Sequence, residues 1–312
     1  MRGLVIRGSR NIFSIRPLGT ELNSGPLSCR IKGKILKGVE GYYNPLAPGD
    51  RVNFEPDPAH PGTGLIRGVE ERRNGFTRFN QKGQAPQLLA ANVDMVLCVT
   101  SPVAPPFRPR FLDRSLLQAE IAGIPAAIIC NKYDLSPDDP DTEERLEDYS
   151  RLGYRVLRVS ALTGEGMDDA RSLIAGNVSV LVGQSGVGKS TLINALVPET
   201  GQRTAPLNEK YDRGNHTTTM SVLFAASPDG TFLIDTPGIR RFLPEGIGAD
   251  EIIHYMREFA PLAGRCTYGL SCSHRTEPGC KIMEAVAAGK IHEDRYESFL
   301  RIQQELSGAA YD

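Results

Sequence analysis

A glycine-rich turn between an apolar run and a helical pattern is the feature of this sequence with the most specific chemistry. Residues 178–191 match GxxxxGK[ST], with a strand pattern before the turn and a helical one after it. The glycines let backbone N–H groups close around a β-phosphate, and the helix N-terminus adds its positive end. We expect Lys189 to reach the β- and γ-phosphates and Ser190 to ligate Mg²⁺. The expected phosphate-binding residues are Gly183, Gln184, Ser185, Gly186, Val187, Gly188, Lys189, Ser190 and Thr191.

An acidic residue at the end of a second apolar run is expected to serve the same phosphates. Residues 231–234 form that run, and Asp235-Thr-Pro-Gly238 follows it. We expect Asp235 to hold the metal through water and the Gly238 N–H to meet the γ-phosphate. An isolated Asp-Thr-Pro-Gly sequence could be a plain β-turn, but the upstream phosphate loop favours the metal role.

Two short motifs predict that the nucleotide base is guanine. An apolar run at 126–130 ends in Asn131-Lys132-Tyr133-Asp134. The Asp134 carboxylate can accept hydrogen bonds from guanine N1–H and the exocyclic amine, which adenine does not offer, and this disfavours an ATP-using enzyme. Asn131 would support the loop and the base oxygen, and the Lys132 stem would cover the ring face. A later run ends in Ser160, Ala161 and Leu162, where the Ala161 N–H is expected to meet the guanine oxygen.

The order of these motifs is unusual. Ordinary small GTPases place the phosphate loop first, whereas here the base-binding motifs precede it. The same sheet can form with its termini moved, so we predict a circularly permuted P-loop GTPase domain. The segment after Gly238 then leads directly into the C-terminal region, so nucleotide state could be transmitted covalently to that region.

The group that orients the attacking water is less evident. The residue after the Asp-Thr-Pro-Gly motif is Ile239, where Ras-like enzymes carry a glutamine. His216 precedes three threonines and could orient the water as a catalytic residue, although it could equally be a solvent-exposed loop histidine. Thr218 is the expected switch contact to Mg²⁺ and joins Lys189 and His216 as a catalytic candidate, with Thr217 and Thr219 as alternatives.

A cluster of three cysteines and one histidine predicts a metal site. Cys266, Cys272, His274 and Cys280 fall within fifteen residues. In a cytosolic chain this spacing indicates metal rather than disulfides. Three thiolates and an imidazole form the ligand set of a closed tetrahedral Zn²⁺ site, so we expect one structural zinc ion per chain.

The first 82 residues predict a small β-barrel. Short alternating runs separated by Gly, Pro, Asn and Asp turns fit an oligonucleotide-binding (OB) barrel, and an SH3-like barrel would look similar. Residues 1–80 carry thirteen Lys+Arg against seven Asp+Glu, which suggests a polyanionic partner or merely an ordinary charged surface. The polar stretch 78–86 is expected to be a linker. The candidate strands are residues 4–7, 11–15, 29–36, 51–54 and 64–70.

The remainder predicts an α/β domain over 83–245 and a helical zinc-binding domain over 246–312. Continuous apolar runs require strands buried on both faces, so we expect a parallel sheet with helices on both faces. Those runs are residues 93–99, 126–130, 156–159, 178–182 and 231–234, and the expected helices are 110–123, 142–153, 250–259 and 281–306. No apolar run reaches the length of a membrane span and no signal peptide is evident, so we expect a cytoplasmic protein.

The complete set of motifs resembles the bacterial ribosome small-subunit-dependent GTPase A (RsgA) family. This resemblance implies a GTP hydrolase that binds the small ribosomal subunit late in its maturation, acts as a checkpoint, and is stimulated by the subunit. It also implies that His216 is catalytic and that the barrel and zinc domain contact ribosomal RNA. We expect GTP and GDP as ligands, no membrane partner, and a monomer. The alternative is a nucleotide-gated RNA-binding protein in which GTP turnover is incidental.

Overall fold

The computed structural model describes residues 1–9, 11–19, 25–33, 36, 39, 41–135, 139–197, 220–227, 229–239 and 241–308. Within these ranges, the N-terminal segment forms a closed barrel with strand order β1-β2-β3-β5-β4. Its pairings are antiparallel except for β3 with β5, and Val5, Phe13 and Ile66 fill the interior. The predicted OB-like barrel is therefore confirmed. The strands are β1 Arg2–Ser9, β2 Ile12–Pro17, β3 Leu27–Ile31, β4 Arg51–Pro56 and β5 Thr63–Val69.

An antiparallel hairpin follows the barrel, so the predicted linker at 78–86 is wrong. Strands β6, Gly75–Asn80, and β7, Ala85–Ala91, pair over this stretch. The polar residues that suggested a linker satisfy one another, since Arg78 and Asn80 both donate to the Gln87 side chain. Phe76, Leu89 and Ala90 of the hairpin are buried against the next domain, which explains why the polar stretch between them is ordered.

The central domain is a six-stranded sheet of order β10-β9-β8-β11-β13-β12. The predicted parallel arrangement holds for every pairing except that of β12, a short edge strand antiparallel to β13 that the sequence analysis did not identify. The strands are β8 Met95–Thr100, β9 Ala126–Cys130, β10 Arg155–Arg158, β11 Val178–Gly183, β12 Val222–Ala225 and β13 Phe232–Asp235.

Helices cover both faces of this sheet, as its apolar strands require. Successive residues of β8 belong to different cores: Val96 packs with α1 and α2, whereas Leu97 packs with α3 and α4. Burial on both faces explains why the run is continuously apolar rather than alternating. The helices are α1 Pro109–Ile121, α2 Pro140–Arg151, α3 Met167–Ile174 and α4 Lys189–Leu196.

The C-terminal region is helical, with shorter elements than predicted. The helix expected at 250–259 extends only over α5, Ile252–Tyr255. The one expected at 281–306 is two helices, α6 Lys281–Ala287 and α7 Glu293–Leu306, separated at Gly289, whose φ is +67°. Their apolar sides form one core with residues of α1. In the described part of the chain, no helix has both the length and the apolarity that a membrane span requires.

A buried ionic network fastens α7 to the central domain. Arg295 Nη1 lies 2.7 Å from Asp113 Oδ1 of α1, with side-chain exposures of 2% and 0%. Tyr149 of α2 and Ser298 also donate to Asp113, and Arg295 donates to Glu258 as well. A buried ion pair persists only when its remaining hydrogen bonds are satisfied, and removing one partner costs about 3–5 kcal/mol. The C-terminal region is therefore anchored to α1 and α2.

Candidate nucleotide and metal sites

The glycine-rich turn, here called the P-loop (residues 183–190), lies at the carboxyl end of β11, where ligands of parallel sheets bind. Gly186 and Gly188 have φ of +89° and +88°, which L side chains rarely adopt. A Cβ on Gly188 would also lie 2.3 Å from Asn131 Nδ2. Glycine is thus required at Gly188 both for backbone conformation and for close approach to the 131–134 loop.

Lys189 begins α4 and is folded against the P-loop. Its Nζ donates to the carbonyls of Gly183 at 2.7 Å and Gln184 at 2.9 Å, and the residue is only 7% exposed. Burial lowers the pKa of Lys189 to about 8, although nearby Asp235 opposes this shift. A polyphosphate beside Lys189 would favour the ammonium form further, because negative charge raises the pKa of an amine.

Asn131 connects the base-binding motifs to the P-loop. We call residues 131–134 the base loop and residues 160–162 the second base loop. The buried Asn131 side chain donates to Val187 O at 3.0 Å and accepts from Ala161 N at 3.0 Å. The structure therefore brings together three motifs that are distant in sequence. In this arrangement the Ala161 N–H, expected to meet a guanine oxygen, is directed at Asn131 Oδ1.

The remaining residues of the two base loops lie at the same edge of the sheet as Asn131. Lys132, with φ of +62°, donates from Nζ to Gly186 O at 2.7 Å and to Ala104 O at 2.6 Å. Asp134 is half-buried in a 3-10 turn over residues 133–135. In the second base loop, the buried Ser160 Oγ accepts from Thr163 N at 3.1 Å, while Leu162 is 82% exposed.

The Asp-Thr-Pro-Gly segment approaches the P-loop from the neighbouring strand. Asp235 ends β13 opposite Leu181 of β11. Thr236, which the sequence analysis did not single out, donates from Oγ1 to Leu181 O at 2.7 Å. A Cβ on Gly238 would lie 3.1 Å from Ser185 Cα, so this segment packs directly on the P-loop. Ser190 and Thr191 lie in the first turn of α4, beside Lys189.

The four predicted metal ligands converge in the C-terminal region. The ligand atoms of Cys266, Cys272, His274 and Cys280 all lie within 4.8 Å of one another, and all four residues are buried. The Sγ atoms of Cys266 and Cys280 are 3.8 Å apart, far longer than a disulfide bond. Metal–sulfur bonds of about 2.3 Å in a tetrahedron give sulfurs about 3.8 Å apart, so the group can hold a metal ion.

The loop between the last two ligands is braced by Glu277. Its carboxylate accepts from the backbone N–H groups of Ser273 at 2.7 Å, Arg275 at 3.0 Å and Thr276 at 3.1 Å. A hydrogen bond from the Ser273 side chain, followed by the one from the Ser273 backbone N–H, holds the pKa of Glu277 well below its ordinary value. The positive φ of His274, +61°, turns the chain at the ligand itself.

Comparison with known proteins identifies the family. The family model described as RsgA GTPase matches residues 69–243, and a Bacteroides fragilis protein named small ribosomal subunit biogenesis GTPase RsgA is 37% identical over 100% of this chain and 99% of its own. This chain belongs to the RsgA GTPase family. A Chlorobaculum parvum protein of the same name is 40% identical, over 92% of this chain and 93% of its own.

Two solved structures share the RsgA-family architecture. YjeQ from Thermotoga maritima aligns with a TM-score of 0.72 at 30% identity, covering 99% of both chains. YloQ, described as a circularly permuted GTPase, aligns with a TM-score of 0.67 over 100% of this chain and 96% of its own. Its sequence identity to this chain is 24%, so this similarity supports the fold alone. The chain is thus a GTPase with the predicted permuted architecture.

Some predicted site residues of this RsgA-family chain lie outside the described residues, namely His216 and the threonines Thr217, Thr218 and Thr219. Conversely, sequence analysis missed the loop after β8. Its Ala104 carbonyl accepts from Lys132, and Ser101 Oγ donates to Pro105 O at 2.9 Å. Prolines such as those of this stretch are typical of a turn, but no motif marks a backbone carbonyl as a partner.

Gly188→Ala is expected to weaken nucleotide binding by more than tenfold, since the new methyl group would collide with Asn131 and displace the base loop. Gly230→Ala provides a matched control. Gly230 has φ of +95° but no atom within 4 Å of its would-be Cβ, so it carries only the backbone cost of about 1–2 kcal/mol. Equal GDP affinities for the two variants, measured with a fluorescent GDP analogue, would contradict the close approach.

Proposed function

We propose that this RsgA-family GTPase acts in the maturation of the small ribosomal subunit, with GTP hydrolysis stimulated by that subunit. The bridge made by Asn131 carries the nucleotide part of this proposal, because it joins phosphate-binding and base-binding motifs at one sheet edge. The ribosomal part is supported by the family and by the name shared by relatives that match the full chain.

The proposed roles follow the arrangement of the site. Asp134 accepts from the guanine edge, Lys132 covers the ring, and the second base loop lies beside the base. P-loop amides and Lys189 hold the β- and γ-phosphates, while Gly238 contacts the γ-phosphate. Ser190, Asp235 and Thr218 hold Mg²⁺, which screens the phosphate charge, and His216 orients the attacking water.

The four C-terminal ligands are proposed to bind one structural zinc ion. Three cysteine sulfurs and an imidazole are the donors that zinc prefers in closed sites, and the group supplies four ligand atoms, the number that fills a tetrahedral site. We propose that residues 1–82 contact RNA, that residues 83–245 carry out the nucleotide chemistry, and that residues 246–312 bind the metal.

The barrel is proposed to contact ribosomal RNA. Residues 1–80 carry about six net positive charges, and the side chains of Arg2, Arg30 and Arg67 are about half exposed on its surface. Each also has an acidic partner, so their attraction for phosphate is partly offset. The proposal further places the protein in the cytoplasm as a monomer.

A nucleotide-gated binding protein is the second candidate. Ile239, at the position of the usual glutamine, is 2% exposed and packs in the core, so it can neither orient nor polarise water. Slow intrinsic hydrolysis follows for either candidate. What distinguishes the two is whether the ribosomal partner accelerates the reaction.

GTP turnover should be measured with purified protein alone and with small ribosomal subunits. A rise of at least about tenfold, or roughly 1.4 kcal/mol off the barrier, is expected. His216→Ala should abolish most of this rise without loss of subunit binding, whereas the exposed His254→Ala should not change it. Tight binding without acceleration would support the second candidate instead.

A further inference from the structure

We propose that Glu143, in the first turn of α2, is a positioning residue that holds both guanine-binding loops in place through a single carboxylate. This inference rests on the proposed role of those loops. It concerns a residue that lies in neither motif.

Glu143 contacts one residue from each side of the base site. Its Oε1 accepts from the Tyr133 hydroxyl at 2.8 Å. Arg158 approaches the same carboxylate side-on, with Nε 2.9 Å from Oε1 and Nη2 2.6 Å from Oε2. Such a two-pronged pair is stronger and more directional than a single contact, because the planar guanidinium matches the carboxylate.

These two partners are placed to transmit position to the loops. Tyr133 lies within the base loop, next to Asp134. Arg158 ends β10, and the chain then passes through Val159 to Ser160 at the start of the second base loop. The backbone joins the two sides again, since Val159 O accepts from Tyr133 N at 3.1 Å. Loss of the carboxylate therefore loosens both loops rather than one.

Glu143 is anionic in this setting. The hydrogen bonds from Arg158, followed by that from Tyr133, lower the pKa of its carboxyl group against the opposing effect of burial. The side chains of Glu143 and Arg158 are 27% and 34% exposed. Ion pairs this accessible contribute little to global stability, so the principal effect of breaking the pair falls on local order.

Glu143→Ala is expected to weaken GDP binding at least fivefold, chiefly through faster dissociation, and to reduce the preference for GDP over inosine diphosphate, which lacks the exocyclic amine. Arg158→Ala should give a similar loss, and the double variant little more, because both remove one interaction. Glu143→Gln, which keeps the acceptor for Tyr133 but loses the charge, should be intermediate. The thermal midpoint should stay within about 2 °C of the parent protein.

The control is Arg171→Ala, which breaks an exposed 2.7 Å pair with Asp168 on α3 and should leave nucleotide affinity unchanged. GDP affinity within twofold of the parent for both Glu143→Ala and Glu143→Gln would overturn the inference. Asp134→Asn distinguishes failure of the positioning role of Glu143 from failure of the proposed base site. If it weakens GDP binding while the Glu143 variants do not, only the positioning role fails, and if none has an effect, the proposed base site fails.

Discussion

Asp134→Asn is expected to reduce affinity for GTP by at least about a hundredfold and to improve affinity for xanthosine triphosphate (XTP). The carboxylate can accept from both N1–H and the exocyclic amine of guanine. An asparagine amide directs an N–H group at that amine, so one hydrogen bond is lost and a donor faces a donor. Xanthine carries a carbonyl in place of the amine, and the asparagine N–H can donate to it.

The effect should be large because the loop around Asp134 is fixed. The Asn131 side chain hydrogen-bonds to the P-loop, and Lys132 Nζ donates to the carbonyls of Ala104 and Gly186. The loop therefore cannot shift to relieve a mismatch with the base. Competition of GTP and XTP against a fluorescent GDP analogue measures the switch. Asp141→Asn, an exposed acid on α2, is the matched control. Unchanged GTP affinity in Asp134→Asn would contradict the base assignment.

Removal of the proposed zinc ion is expected to unfold the C-terminal region and to lower the stability of the whole chain by several kcal/mol. The four ligands form part of the core, where His274 lies 5.8 Å from the ring of Phe299, which stacks on Phe259 at 4.8 Å. Without the ion, three thiolates and an imidazole lose the partner that justifies their burial.

The loss of stability in the C-terminal region should also destabilise the central domain. If α7 detaches, Asp113 is left as a buried carboxylate without Arg295, which is costly. The purified protein should contain one zinc equivalent by elemental analysis, and a chelator should lower both the thermal midpoint and nucleotide affinity. Cys272→Ala should reproduce this, whereas Cys98→Ala, in the core of the sheet, should keep its metal. A metal-free protein with an unchanged midpoint would contradict the site.

The parts predictable from sequence are those whose cause is local. The turn at Gly188 requires glycine, and strands such as Ala126–Cys130 require apolar residues on both faces. Both requirements are met by residues that are neighbours in the sequence, so the sequence pattern predicts them. The convergence of the base loop with the P-loop was also predictable, since the carboxyl ends of parallel strands share one edge. The roles assigned to His216 and Thr218 stay predictions.

The features missed depend on distant partners. The hairpin tip at 78–86 is ordered by side chains that satisfy one another across strands, which polar composition alone does not indicate. The Arg295–Asp113 pair joins α7 to α1 and has no periodic signal. Glu143 likewise resembles any other acid in a helical first turn until the fold places Arg158 beside it.

The order of the motifs along the chain also sets the order in which the two halves of the nucleotide site are made during synthesis. Strands β8, β9 and β10 lie together on one side of the sheet, and β11, β13 and β12 on the other, with β8 paired to β11 where the two halves meet. A chain emerges from the ribosome N-terminus first, so both base loops exist before any phosphate-binding residue. Until β11 arrives, β8 presents an unpaired apolar edge of the kind that promotes aggregation. A nascent chain halted before the P-loop therefore carries a complete barrel but half a nucleotide site.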